Sequence, residues 1–368
     1  MNLLVCASEY YPHGFGIANV AHRVVERLEA RGVRCTICSP TGPDIRIGSR
    51  RLIRDLAVGG LLHYWRGVAR LPDADDFDAV WMHNPLFLGA TPFPHGVATI
   101  HSTYLNKYRQ GMVPQRYYRV VSALERRSLI RTSLRNRLTA VSETVESDLR
   151  ALGIESSQIA LIPNGVDTSR FAPAEEREAR RSDYDIPDDH TVLLFLGRMS
   201  EAKQPERLVA TFARLHRLRP DTTLVIAGGG DRLETTKALA RDLGVGDAVR
   251  FLGMVDSDRT PELYRLADCY VMASRSEGSP LTLFEALSTG LPAIVSPIPA
   301  LGFVEERGIG RTVDFEEPEA AASAMAAYLD ADLRGAGDRA RAYVTDHHDW
   351  SVIADRYIAE FERAAEEQ

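Results

Sequence analysis

Residues 191–230 read TVLLFLGRMSEAKQPERLVATFARLHRLRPDTTLVIAGGG, and this stretch decides the fold class. TVLLFLGRM is a short apolar run, PERLVATFARLHRL has the apolar spacing of a helix that begins at proline, and TTLVIAGGG is a second apolar run. A strand, a helix and a strand in this order form a βαβ unit with parallel strands. The stretch therefore predicts an α/β protein with a parallel sheet.

The same alternation continues on both sides of this stretch. After it, RLETTKALARDLG predicts a helix, and VRFLGMV, CYVMAS and PAIVSP predict short strands. Before it, the strand NLLVCASE precedes the loop YYPHGFG, a helix from about Ile17 to Arg31 and the strand VRCTICSP. AVWMHN, VATIHS and LTAVSE follow as strands that end in polar residues. Because ligands bind at the carboxyl ends of strands in open α/β sheets, these polar ends are candidate binding positions.

The length and one charged segment indicate two domains. At 368 residues the chain exceeds the size at which a single core usually stops growing. Residues 162–187, IPNGVDTSRFAPAEEREARRSDYDIP, have turn residues at both ends and a charged middle, as expected of a connector. We expect an N-terminal domain at 1–170, a C-terminal domain at 171–349 and a final amphipathic helix at 350–368.

The composition is typical of a globular protein, with 45% apolar and 26% charged residues. No apolar run approaches the roughly 18 residues that span a bilayer. The start, MNLLVCASEYYP, lacks a basic segment and reads as a buried strand rather than a signal peptide, which favours a cytoplasmic location. Cys35 and Cys38 form a CxxC inside an apparent strand, where residues three apart face opposite sides. We therefore interpret both as structural cysteines and not as zinc or redox ligands.

Charge is divided unevenly along the chain. Residues 1–172 contain 21 Lys+Arg and 15 Asp+Glu, which gives a net charge of +6. Residues 173–368 contain 23 Lys+Arg and 36 Asp+Glu, which gives a net charge of -13. Residues 46–70 and 107–137 interleave cations with aromatic and aliphatic residues. Two interpretations stay open: these stretches dock on an anionic membrane or a phosphorylated acceptor, or they are the solvated faces of amphipathic helices. Nucleic acid is disfavoured, because the chain is acidic and has no recognisable binding module.

Residues 277–292, EGSPLTLFEALSTGLP, carry two glutamates, Glu277 and Glu285. Pro280 suits the first turn of a helix and Gly290 its end, which places Glu277 in the preceding loop and Glu285 inside the helix. The positive end of a helix dipole and its free N–H groups suit a diphosphate. Because carboxylates would be repelled by that diphosphate, the spacing suggests that Glu277 faces the sugar of a nucleotide-sugar and Glu285 faces its ribose.

A second motif, FLGRMSEAKQPERL, supplies the cations that a diphosphate needs. Arg198 comes just after a strand and Lys203 just before a helix, and the two side chains offer complementary geometries to phosphate oxygens. Lysine is rare in this chain, which has three lysines and 41 arginines. A lysine at this position therefore stands out from the general preference for arginine.

GRMSEAKQPERLV, the two-glutamate segment and IPNGVDTSRF together resemble the GT-B glycosyltransferases of family 4, over nearly the whole chain. The resemblance implies two Rossmann-like domains facing a central cleft, with the last helix crossing back to the N-terminal domain. It implies a retaining enzyme that uses nucleotide-sugars without a metal ion. It also implies that His101, after VATIHS, and Glu277 contact the transferred sugar as the catalytic pair. The donor-binding residues that it implies are Gly14, Gly16, Arg198, Lys203, Val255, Asp256, Gly278, Ser279, Pro280, Leu281 and Glu285.

Some positions depart from the family pattern or match it less closely. Many similar enzymes have adjacent glycines after the first strand, where Phe15 separates Gly14 from Gly16 in this chain. His83, which closes AVWMHN, is a weaker candidate for the same region. The run of three glycines at 228–230 fits a tight turn and needs no further function.

We therefore predict a hexosyltransferase that moves a sugar from a nucleoside diphosphate to an acceptor hydroxyl, in glycan, glycolipid or cell-envelope biosynthesis. The nucleotide-sugar is a substrate, and no cofactor is expected. The acceptor is expected to be lipid-linked or anionic, with peripheral contact to the inner face of the membrane. Two alternatives stay open: a nucleotide-sugar epimerase of the same architecture, and a catalytically silent nucleotide-sugar-binding module. Turnover of the donor with and without an acceptor separates them.

Overall fold

The computed structural model describes residues 1–13, 16–71, 76–89, 91–109, 113–173 and 181–366. The chain divides into two compact units, Met1–Gly165 with Trp350–Gln368, and Val166–Asp349. The division at Gly165 lies inside the connector that the sequence indicates. Each unit is a parallel sheet flanked by helices, which is a Rossmann-like arrangement.

The N-terminal unit contains a seven-stranded sheet with the order β3-β2-β1-β4-β5-β6-β7, and all its pairs are parallel. Its strands are β1 Asn2–Cys6, β2 Arg34–Ser39, β3 Ile45–Arg46, β4 Ala79–His83, β5 Gly96–Ile100, β6 Asn136–Ala140 and β7 Ile159–Leu161. Its helices are α1 Ile17–Glu29, α2 Arg50–Leu56, α3 Val58–Val68, α4 Tyr104–Arg109, α5 Gln115–Ser133, α6 Glu143–Ala151 and, from the end of the chain, α14 Trp350–Glu366.

The C-terminal unit contains a six-stranded parallel sheet with the order β10-β9-β8-β11-β12-β13. Its strands are β8 Thr191–Leu196, β9 Thr222–Ala227, β10 Val249–Gly253, β11 Cys269–Met272, β12 Ala293–Val295 and β13 Gly310–Thr312. Its helices are α7 Pro205–Leu218, α8 Leu233–Asp242, α9 Thr260–Leu266, α10 Leu281–Ser288, α11 Phe303–Glu306, α12 Pro318–Leu329 and α13 Leu333–His348.

The final helix α14 packs against the N-terminal sheet. Tyr357 and Phe361 are fully buried, and their rings lie 4.7 Å and 5.9 Å from the ring of Trp81 in β4. Arg137 on β6 donates to Glu360 at 2.6 Å in a mostly buried ion pair. Burial of two aromatic side chains contributes several kcal/mol at about 25 cal/mol per Å² of apolar surface, so the end of the chain is part of the N-terminal core.

The two basic stretches form α2 and α3, and α4 and α5, respectively. Residues 116, 119, 120, 123 and 127 of α5 are exposed, a spacing that places them on one face of the helix. This face combines arginines with the apolar Val120, which is 63% exposed.

Cys35 and Cys38 both lie in β2, and all four cysteines are free. None of the helices in the described part of the chain combines the length and the hydrophobicity that a transmembrane span requires.

Candidate active site

The order of strands in the C-terminal sheet reverses between β8 and β11. From β8 the chain builds outward through β9 to β10, and it then returns to the other side of β8 with β11. The loops after these two neighbouring strands therefore leave the sheet in different directions, and open α/β folds bind ligands at this point. Arg198 and Lys203 follow β8, and Glu277 follows β11. The topology thus brings together two motifs that are far apart in the sequence.

The loop after β8 is held in place by the glycine run after β9. Gly228 has a φ of +139°, and a Cβ atom there would lie 1.8 Å from the carbonyl oxygen of Gly197. The N–H of Met199 donates to the carbonyl of Gly229 at 2.9 Å. Only glycine permits this φ and this approach. The run that the sequence indicated as a simple turn therefore also supports the segment that carries Arg198.

Lys203 and Glu277 form an ion pair between the two loops. The Lys203 ammonium donates to Oε1 of Glu277, and the side chains are 23% and 8% exposed. The backbone of the two loops is joined as well, because the N–H of Arg275 donates to the carbonyl of Ala202 at 2.9 Å. The pair therefore orients a carboxylate and an ammonium at the carboxyl ends of neighbouring strands.

Arg198 differs from Lys203 in having no fixed partner. Its side chain is exposed, and it forms no ion pair or hydrogen bond with the residues that the structure describes. A guanidinium in this state keeps all its donors for an anion such as phosphate.

Residues Gly278 to Leu281 connect Glu277 to α10. Pro280 precedes the helix as its N-cap, with φ −76° and ψ 110°, and α10 begins at Leu281. The prediction that Pro280 lies in the first turn is therefore wrong by one residue, because its ψ is extended. Pro280 makes no side-chain cap hydrogen bond, and the positive end of the α10 dipole lies at this loop.

Glu285 on α10 is oriented by a tyrosine that the sequence did not single out. Tyr264 on α9 is fully buried and donates its hydroxyl to Oε2 of Glu285 at 2.8 Å. Burial, together with the nearby carboxylate, raises the pKa of Tyr264 well above its usual value, so it stays a donor. Tyr270 on β11 contacts the end of β8, since its hydroxyl donates to the carbonyl of Leu196 at 3.1 Å.

Val255 and Asp256 lie in the loop after β10, which pairs with β9. Val255 is half-buried against the apolar core, and Asp256 is exposed. The loop therefore presents one apolar and one acidic side chain at the same end of the sheet.

In the N-terminal unit, Gly16 and His101 follow strand ends. Gly14 lies outside the described residues, and Gly16 has a φ of +30° immediately before α1. His101 follows β5, and its N–H donates to Oδ1 of Asn84 at 2.8 Å. Burial lowers the pKa of His101 to about 3, so its imidazole is neutral at physiological pH.

The histidine that ends β4, His83, contacts His101 directly. Nδ1 of His83 lies 2.9 Å from Nε2 of His101, which is a hydrogen bond between the two rings. His83 is almost fully buried, and burial with the neighbouring ring lowers its pKa well below the usual value. The two histidines are neighbours because β4 and β5 pair in parallel with His83 opposite Thr99, and the sequence alone does not show this register.

Comparison with known families accounts for both units. Residues 16–170 match the family described as Glycosyltransferase Family 4, and residues 176–343 match Glycosyl transferases group 1. The chain belongs to the family 4 (group 1) glycosyltransferases. Its fold is GT-B, as the resemblance implied: the sucrose-phosphate synthase structure from Thermosynechococcus elongatus matches with a TM-score of 0.76 and 20% identity, covering 98% of each chain.

Two curated relatives of this family are named for glycosyl transfer. The chain is 34% identical to D-inositol 3-phosphate glycosyltransferase 2 of Catenulispora acidiphila, over 63% of this chain and 57% of that protein. It is 30% identical to the GDP-mannose-dependent alpha-(1-6)-phosphatidylinositol monomannoside mannosyltransferase of Mycolicibacterium smegmatis, over 60% of each. The matched stretch therefore spans less than two thirds of either relative.

Arg198, Lys203 and Glu277, three of the candidate donor residues, lie in loops that follow neighbouring strands of the C-terminal sheet. The described part of the chain contains no cluster of three or more His, Cys, Asp or Glu side chains that could hold a metal ion. Tyr264 and Tyr270 are supporting residues that sequence reasoning missed, and it identified the glycines after β9 only as a turn. The one sequence feature that could have indicated the two tyrosines is their position among apolar residues. A tyrosine in an apolar segment is expected to be buried, and a buried phenol needs a hydrogen-bond partner.

Proposed function

We propose that this chain transfers a sugar from a nucleoside-diphosphate sugar to the hydroxyl group of an acceptor. The observation that carries the proposal is the pairing of Lys203 with Glu277 across the loops after β8 and β11. Arg198 lies in the same loop after β8, and its side chain has no partner among the described residues. Cations for a diphosphate and a carboxylate for sugar hydroxyls stand together at the strand ends where α/β sheets bind ligands. The names of the two relatives support the same reaction class.

In the proposed reaction, the cations act mainly on the departing diphosphate. Arg198 and Lys203, with the positive end of the α10 dipole, stabilise the negative charge that grows as the glycosidic bond breaks. Gly278, Ser279, Pro280 and Leu281 bring backbone close to the phosphates. Glu277 binds hydroxyls of the transferred sugar. It also orients Lys203, so the ammonium is placed before the donor binds.

The remaining contacts with the nucleotide-sugar also place carboxylates on hydroxyl groups and away from the diphosphate. Glu285, held by Tyr264, accepts hydrogen bonds from the ribose hydroxyls, and the loop at Val255 and Asp256 meets the base. The family resemblance assigns further donor contacts to Gly14 and Gly16, and a contact with the sugar to His101. The protein needs no cofactor, because the donor already carries the activated bond.

We further propose that transfer retains the anomeric configuration and needs no metal ion. The support is the family resemblance together with the side-chain cations, which can neutralise the leaving group themselves. An oxygen of the leaving phosphate would take the proton of the acceptor hydroxyl on the same face of the sugar. The test is an NMR assignment of the product anomer, with transfer measured in EDTA. An inverted anomer, or activity lost in EDTA and restored by Mg²⁺, would refute this part.

The acceptor is proposed to bear a phosphate, in free or lipid-linked form, with the enzyme at the inner face of the membrane. The support is the net charge of +6 in residues 1–172, the exposed basic face of α5 and the phosphoinositol acceptors in the relatives' names. Liposome sedimentation at low salt should show binding to anionic but not to neutral vesicles. Failure to sediment with anionic vesicles would rule out the membrane contact and leave a soluble phosphorylated acceptor.

The donor is identified by a thermal-shift panel of UDP, GDP, ADP and their hexose conjugates. A ligand at about 100 times its Kd adds about 2.7 kcal/mol, which raises the melting temperature by several degrees. The shift from one base family should disappear in Arg198→Ala and persist in Arg241→Ala, a matched control at an exposed arginine on α8. Absence of any shift in the wild type, combined with absence of sugar transfer, would overturn the proposed function.

A further inference from the structure

The rings of His83 and His101 meet edge to edge. Their planes differ by 13°, and their centroids are 5.2 Å apart although the bonded nitrogens are only 2.9 Å apart. Face-to-face rings would not bring two ring nitrogens into hydrogen-bond distance at this centroid separation. The hydrogen bond therefore lies near the plane of both rings, which is the direction of an imidazole N–H and of an imidazole lone pair.

The protons of this pair can be assigned by counting its four ring nitrogens. Two nitrogens share the hydrogen bond, and since both rings are neutral, one donates and the other accepts. Nε2 of His83 is buried and has no hydrogen-bond partner among the described residues. Nδ1 of His101 is the remaining nitrogen, and His101 keeps partial exposure to solvent.

The buried nitrogen decides between the two possible arrangements. If Nε2 of His101 donated, His83 would carry its proton on Nε2, which would be a buried N–H with no acceptor. Orphaned N–H groups are rarer in proteins than acceptors with an unused lone pair. The alternative places the proton of His83 on Nδ1, where it is used in the hydrogen bond. His101 then accepts at Nε2 and carries its own proton on Nδ1.

We propose that His83 is a positioning residue that holds His101 as a hydrogen-bond donor, with its proton on Nδ1 facing the ligand. Resting on the proposed function, this means that His101 donates to an oxygen of the transferred sugar and does not act as a general base. The acceptor proton must then leave by another route, which agrees with its transfer to the leaving phosphate. The Nδ1–H group of His101 can therefore donate to the reacting sugar without a change of tautomer.

The surroundings of the pair favour a single arrangement. The ring of His83 packs on Trp81 with centroids 4.2 Å apart, and Trp81 donates to Oγ1 of Thr99 at 2.8 Å. Asn84, at a φ of +48°, directs its Oδ1 to the N–H of His101. Packing therefore fixes the His83 ring, and the hydrogen bond from Asn84 fixes the backbone of His101. We expect a change at His83 to alter which nitrogen of His101 is protonated more than the position of the His101 backbone.

The test is the tautomer of His101, read by long-range ¹H–¹⁵N correlation in the full chain with labelled histidine. The His101 signals are assigned by their loss in His101→Gln. The wild type should show a protonated Nδ1 and an unprotonated Nε2. A protonated Nε2 in the wild type would overturn the proposal, whether or not the chain transfers sugar.

Two variants of His83 separate positioning from simple packing. His83→Asn keeps an N–H donor near the position of Nδ1, and His83→Leu removes it. We expect the wild-type tautomer in the asparagine variant and a protonated Nε2 or a mixture in the leucine variant. The kcat of transfer should fall at least about tenfold in His83→Leu and recover in His83→Asn, with a smaller change in KM for the donor. An unchanged tautomer and kcat in His83→Leu would overturn the proposal. If His83→Leu does not fold, the wild type and His83→Asn spectra decide.

Discussion

Replacing Lys203 with methionine removes the cation that faces Glu277. The carboxylate is the more buried partner, since Glu277 is 8% exposed and Lys203 is 23% exposed. The converse change, Glu277→Gln, removes the negative charge but keeps an amide oxygen that can accept from the Lys203 ammonium. Both variants remove the same ion pair, but we expect them to lower the stability of the fold by different amounts.

The expected change in the free energy of unfolding depends on the charged group that each variant leaves without its partner. Lys203→Met leaves a nearly buried carboxylate without its cation, and we expect it to lower the free energy of unfolding by about 2 kcal/mol, below the value for a fully buried pair. Glu277→Gln leaves an ammonium that can turn to water, and we expect a loss of less than about 1 kcal/mol. For a unit of this size, about 2 kcal/mol lowers the melting temperature by roughly 4–8 °C.

The assay is thermal unfolding of the full chain without ligand, followed by circular dichroism. Lys237→Met is the matched control, because Lys237 pairs with Glu234 on the exposed side of α8 and should melt like the wild type. If Lys203→Met melted with the control, or if Glu277→Gln were the more damaging change, the reasoning about the partly buried pair would be refuted.

Two further predictions test the support of the site, and a third concerns Glu125, a buried carboxyl on α5. Tyr264→Phe removes the hydroxyl that orients Glu285 and should raise KM for the donor about tenfold, with kcat less affected; an unchanged KM would contradict this role. Gly228→Ala should abolish the donor-induced thermal shift, because its Cβ would meet backbone at 1.8 Å, whereas Gly229→Ala, which meets a flexible methionine side chain, should retain it. Burial raises the pKa of Glu125 from 4.5 to about 7, so this carboxyl destabilises the fold increasingly as pH rises through this range. Glu125→Gln should therefore be more stable than the wild type at pH 8 and similar to it at pH 4; urea unfolding at both values checks the sign.

Much of the fold follows from local pattern. The strands of both sheets are short apolar runs because both of their faces are covered by helices, and this makes them visible in the sequence. Helices such as α7 and α10 carry proline at or just before the first turn and a turn signal at the end. In contrast, β3, β7 and β13 were missed. These strands have two or three residues and show no period, so only their pairing partners define them; β12 is equally short but was predicted from the apolar run PAIVSP.

The sequence by itself determined the alternation of strands and helices and the uneven distribution of charge. It also determined that cations stand at Arg198 and Lys203 and carboxylates at Glu277 and Glu285. These depend on residues close together along the chain. Tertiary structure alone decided that β8 and β11 are neighbours, and so that Lys203 meets Glu277 from 74 residues away. It also decided that a tyrosine holds Glu285 and that His83 contacts His101. The physical reason is that strand order and register are set by the packing of the whole sheet, which no local window of sequence contains.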